Sequence, residues 1–88
     1  MLQAMIRLAS VGDVKAFVRI ARRYPFEISL QSGRYTVTGK SMMGIFSLDL
    51  SGKILMLADT DDPALKSELL RQLKPFMAGG AERSRFTG

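Results

Sequence analysis

Apolar positions along the chain follow two different periods. Residues 3–8, QAMIRL, predict a first strand. SVGDVKAFVRIARRY (10–24) has helical spacing instead, with Val14, Phe17, Val18, Ala21 and Tyr24 on one stripe. Ser10 followed three residues later by Asp13 resembles a capping box, with Asp where Glu or Gln is usual. Pro25 ends this helix, because the residue before a proline avoids helical backbone angles. FEISLQ then alternates, Ile28 and Leu30 on one face against Glu27, Ser29 and Gln31 on the other. SGR with Gly33 turns the chain and YTVTG returns, which makes a hairpin. Ser41 to about Leu48 reads as a short helix, and KILMLA (53–58), after a Ser51–Gly52 turn, as a fourth strand. In DDPALKSELLRQLKPFM (61–77), Asp61 or Asp62 caps a last helix and Pro63 sits where no amide hydrogen is needed. Leu65, Leu69, Leu73 and Phe76 or Met77 form its buried stripe, and Pro75 kinks or finishes it.

The element order is β-α-β-β-α-β-α, which predicts an α+β open-faced sandwich: an antiparallel four-stranded sheet with three helices on one face. One domain over 1–78 accounts for these elements, and 79–88 is expected to be a flexible tail. KILMLA is apolar on both faces. It reads either as a covered central strand or as an exposed sheet face pairing two copies through Ile54 and Met56.

Composition narrows the chemistry. The 88 residues are 47% apolar, a globular proportion, yet no run reaches the roughly 20 residues that span a bilayer. MLQAMIRLAS has neither the apolar core nor the cleavage site of a secretory signal, so the expected location is cytoplasmic. There is no cysteine and no histidine. Disulfides, zinc or haem sites of the usual kind, Ser-His and Cys-His triads and phosphohistidine chemistry are excluded together. DTDD (59–62) is the one acidic cluster and lacks the ligand spacing of a calcium loop, so no metal or cofactor is expected. A net charge of +5 favours acidic partners or nucleic acid.

GKSMMGIFSLDL (39–50) places a serine directly before an apolar run. Lys40, Ser41, Met42, Met43, Gly44, Ile45, Phe46, Ser47 and Leu48 follow the form K-S-hydrophobic-M-G-hydrophobic-hydrophobic-S-L. This segment, the element order and AFVRIARRYPFEISL (16–30) resemble HPr, the small phosphocarrier of the bacterial sugar phosphotransferase system, in a divergent clostridial form. The resemblance covers about residues 3–77. It implies a phosphate-accepting histidine in a loop opening the first helix, but an ungapped count puts Ser10 at that position, Gly12 at the family's arginine and Asp13 at its proline. The acceptor is therefore missing. What persists is the family's second regulatory position, a serine that a dedicated kinase phosphorylates, and Ser41 matches it. Crh-type relatives keep only that role, as corepressor partners of a sugar-responsive transcription regulator.

A serine at a helix N-cap aims its hydroxyl at unpaired backbone amides, and it caps equally well without ever being modified. On a single-turn helix Ile45 and Leu48 are expected inward with Met43 partly covered. Met42 and Phe46, four residues apart, then share the outer face as a docking patch. Arg19, Arg22 and Arg23 rim it, or are simply the solvated side of their helix. The function expected is a non-catalytic regulatory or adaptor module in carbon catabolite regulation, not an enzyme. Its partner would be a protein: a transcription regulator, an HPr kinase or a transport component. Two alternatives remain: a phosphocarrier using Ser10 as an unusual acceptor, or a small basic nucleic-acid-binding domain.

Overall fold

The computed structural model describes residues 1–78; the expected tail at 79–88 lies outside the described residues. The chain runs β1 (Leu2–Ile6), α1 (Val11–Ala21), β2 (Ile28–Ser32), β3 (Tyr35–Thr38), α2 (Met42–Phe46), β4 (Ile54–Ala58) and α3 (Pro63–Gln72). The predicted order and element types stand. The ends differ: α1 stops at Ala21 rather than Tyr24, with Arg22 closing it. α3 stops at Gln72, because Pro75 forces Lys74–Phe76 into a separate 3-10 turn.

All pairings are antiparallel, in the order β1-β4-β2-β3. β2 and β3 form the local hairpin around Gly33, which takes the left-handed backbone (φ 62°) that residues with a side chain resist. β4 inserts between β1 and β2, so its two partners lie on either side of it in sequence. Phe76 to Ala78 close the outer edge of β1, where the Arg7 amide donates to Phe76 O (2.8 Å) and the Ala78 amide to Met5 O (3.1 Å).

One core holds the fold. Ala4, Ile6, Ile28, Leu30, Ile54, Met56 and Ala58 from the strands meet Val14, Phe17, Val18 and Ala21 of α1, Ile45 of α2, and Leu69, Leu73 and Phe76. Phe17 and Phe76 meet edge to face at 6.5 Å. The helices cover one side of the sheet, because only the even-numbered residues of β1, β2 and β4 are buried.

That parity corrects the reading of KILMLA. Ile54 and Met56 are fully buried and cannot pair two copies; the residues turned outward are Leu55 and Leu57. A strand apolar on both faces carries no phase information of its own. Its neighbours set the phase: Met56 is opposite Ala4 on one side and Leu30 on the other, both core residues.

Candidate functional site

β3 leaves the sheet at Gly39, whose amide donates to Ile28 O at 2.7 Å. The chain passes so close to the core here that any side chain would crowd its neighbours. A Cβ at Gly39 would lie 3.0 Å from Phe17 Cε2, 3.1 Å from Ile28 Cγ2 and 3.2 Å from Ile28 O. This close approach sets where the next residues begin α2.

Lys40 and Arg22 then fasten the entry to α2 onto the end of α1. Lys40 Nζ donates to Tyr24 O at 2.7 Å, and Arg22 Nε donates to Lys40 O at 3.2 Å. The residue preceding Ser41 is therefore held at both its carbonyl and its side chain. Ser41 has extended backbone angles (φ −125°, ψ 120°) and is the N-cap of α2, its Oγ accepting the Gly44 amide at 3.2 Å. This is the expected cap. Its side chain is half-buried at the rim of the helix rather than sealed into the core.

Beyond Ser41 the helix has only five residues, and it divides its apolar side chains unevenly. Ile45 and Leu48 are buried as expected. Met42 and Met43 exchange the places predicted for them: Met42 packs against the core, whereas Met43 is 83% exposed. At about 100° per residue, Met42 lies some 60° from Ile45 and Met43 some 160° from it. Ile45 fixes the inner side, so Met43 must face out. Phe46 is 44% exposed, as expected of an outer-face residue. The apolar patch is thus Met43 with Phe46, beside a capping hydroxyl and the Arg22–Lys40 pair. Arg19 and Arg23 are also exposed on or just after α1.

Ser10 occupies a different environment. It is the N-cap of α1, its Oγ accepting the Asp13 amide at 3.1 Å while Asp13 Oδ2 accepts the Ala9 amide at 2.9 Å. The first turn of α1 therefore has its own carboxylate, which opposes a second anion there. Arg22, Arg23 and the Ser41 entry are at the other end of α1, about 16 Å away for a helix of eleven residues. The structure brings Ser41, Lys40 and Arg22 together and leaves Ser10 apart.

In the acidic run, Asp62 caps α3 through the Ala64 (2.9 Å) and Leu65 (3.4 Å) amides. Asp61 accepts the Met1 amine at 2.6 Å, and that bond holds its carboxyl below the usual range. No group of three or more potential metal ligands exists among the described residues. No helix among them is long and apolar enough to cross a membrane. Sequence reasoning missed Gly39 and the Lys40 anchor; a glycine–lysine pair at a strand exit was the only signal for either.

No protein-family model matches the chain, and no curated protein matches it either. Solved structures do. The crystal structure of HPr-C-His from Thermoanaerobacter tengcongensis superposes with a TM-score of 0.68 at 25% identity, over 83% of this chain and 90% of that one. The phosphocarrier protein HPr from Bacillus anthracis str. Ames superposes with a TM-score of 0.63 at 23% identity, over 83% and 96%. This chain has the HPr fold, without a histidine anywhere in its sequence.

Proposed function

We propose that this chain, an HPr fold lacking the imidazole that would carry phosphate, is a non-catalytic regulatory module of the bacterial cytoplasm. It binds a protein partner through the α1–α2 face, and phosphorylation of Ser41 in carbon catabolite regulation switches that face. The observation supporting this most directly is the placement of Ser41. It caps α2 beside Met43 and Phe46, with Lys40 and Arg22 bonded across its entry. Methionine next to an exposed aromatic makes an adaptable apolar contact, and the arginines Arg19, Arg22 and Arg23 favour an acidic partner.

A phosphate on Ser41 would add roughly −1.5 to −2 charge next to the Lys40 carbonyl that Arg22 already holds. The core beneath, Ile45 and Leu48, need not move. The surface around Met43 and Phe46 changes sign, and with it the set of partners it accepts.

The test is incubation with an HPr-serine kinase and ATP, read by intact mass. One phosphate on the wild type and none on Ser41→Asn is the expected result. Asn is the better control because it can still cap α2, whereas Ser41→Ala loses the bond to Gly44. An unmodified wild type, or equal modification of Ser41→Asn, would remove the switch from the proposal.

A further inference from the structure

The side of the sheet away from the helices carries two rows of side chains, which the register defines completely. Met5, Leu55, Gln31 and Thr36 stand opposite one another across all four strands, and Gln3, Leu57, Ser29 and Thr38 form the next row. A quarter of the chain is charged (24%), yet none of these eight solvent-side positions is. Met5, Leu55 and Leu57 make an apolar ridge along β1 and β4. Met5 alone is 41% exposed, and both leucines are partly exposed.

The charged side chains directly flanking β1, β2 and β4 are sorted by sign between the two ends, with the Met1 ammonium paired to Asp61 at the acidic one. Arg7 follows Ile6 and Lys53 precedes its partner Ile54, so both cations flank the same end of the sheet. Glu27 and Asp59 flank the other end and are neighbours, the Asp59 amide donating to Glu27 O at 2.9 Å. All four residues are exposed.

We propose that this open face binds a second copy of the chain, with strands running in opposite directions about a two-fold axis. Only that orientation puts the acidic end of each copy against the basic end of the other while stacking the Met5–Leu55–Leu57 ridges. Pairing edge to edge along β1 is disfavoured, because Phe76 and Ala78 already use the outward groups of Met5 and Arg7.

Four strands of about five residues span roughly 19 by 17 Å. That is well below the roughly 800 Å² per partner of a standard interface, so the dimer is weak and concentration-dependent. The helices lie on the opposite side of the sheet, so both α1–α2 faces of such a dimer point outward. A dimer therefore presents two copies of that face and gains avidity on any partner with two sites. The self-association itself does not depend on what the α1–α2 face binds.

The experiment is sedimentation equilibrium of the full chain from micromolar to millimolar concentration, at low and high salt. A reversible monomer–dimer equilibrium is expected, weaker at high salt. Leu57→Lys, at a partly exposed position, should weaken it at least about ten-fold, with circular dichroism confirming the fold. Two further variants test whether opposite charges pair across the interface. Arg7→Glu with Lys53→Glu makes both ends acidic, and Glu27→Lys with Asp59→Lys makes both ends basic. Each should be monomeric alone, and an equimolar mixture should form a heterodimer. A wild type that stays monomeric at millimolar concentration overturns the proposal, and would leave residues 79–88 or another protein as the cover of this face. A dimer indifferent to Leu57→Lys overturns it as well. Failure of the charge-reversed pair to associate overturns charge pairing across the interface, and a wild-type dimer strengthened by salt overturns the antiparallel arrangement.

Discussion

Gly39→Ala tests whether the packing that positions the α2 entry is as tight as the geometry implies. The added methyl would meet Phe17 Cε2, Ile28 Cγ2 and Ile28 O at 3.0, 3.1 and 3.2 Å, all inside ordinary contact distance. Neither side chain can swing aside, since Phe17 and Ile28 are buried in the core, and Ile28 O is backbone. The Ile28 carbonyl is also held by the Gly39 amide itself, so it cannot retreat without losing a 2.7 Å bond. Overpacking of this kind costs about 1–3 kcal/mol. The reduced freedom of alanine in the unfolded chain returns about 0.4–1 kcal/mol. A net loss of about 1–2 kcal/mol remains, or roughly 4–16 °C in Tm for a domain of this size. Urea unfolding monitored by circular dichroism gives the value directly. Gly44→Ala is the internal contrast: its nearest neighbours would be at 3.6 and 3.7 Å, ordinary contacts inside a helix. That substitution should be neutral or stabilise by up to about 1 kcal/mol. If Gly39→Ala unfolds at the wild-type urea concentration or above it, the strand exit has slack and Gly39 does not fix the site.

Asp62→Ala should cost about 1 kcal/mol, because two amides at the start of α3 lose their acceptor, while Asp62→Asn should keep most of that stability in the same urea assay. Tyr24 has its phenol pKa raised, first by burial and then by the Glu68 carboxylate, with Arg23 and Arg71 opposing. A raised folded-state pKa means that this stability is complete below the ordinary phenol value of about 10 and is lost as pH rises through the folded value. Tyr24→Phe should therefore flatten part of the alkaline fall of the urea midpoint, and an unchanged slope would contradict the burial argument.

Much of the architecture was legible because it is local. The stripe Val14, Phe17, Val18, Ala21 and Tyr24 lies inward as its spacing predicts, and all five residues are buried. Ser10 with Asp13, Ser41, and Asp62 with Pro63 cap the helices that follow them, since capping needs only a side chain and amides two or three residues away. Gly33 turns the hairpin where expected. The apolar segment after Ser41 likewise stood out, and Ile45 and Leu48 face inward as predicted.

What went astray depended on neighbours distant in the chain. KILMLA offered two equivalent phases, and only pairing with Ala4 and Leu30 made Met56 a core residue and Leu57 a surface one. Met42 and Met43 are the exception: once Ile45 faces inward, as expected, helical spacing alone covers Met42 and exposes Met43. The Gly39 contact, the Arg22–Lys40–Tyr24 fastening and the charge-sorted open face bring together residues from separate elements. The sequence by itself determined the elements, their caps and the absence of imidazole chemistry, because composition and short-range periodicity carry those. Tertiary structure alone decided which face of β4 is exposed and how Arg22, Lys40 and Tyr24 meet at the entry to α2. Burial and charge proximity are properties of packed pairs, and a linear pattern does not contain them.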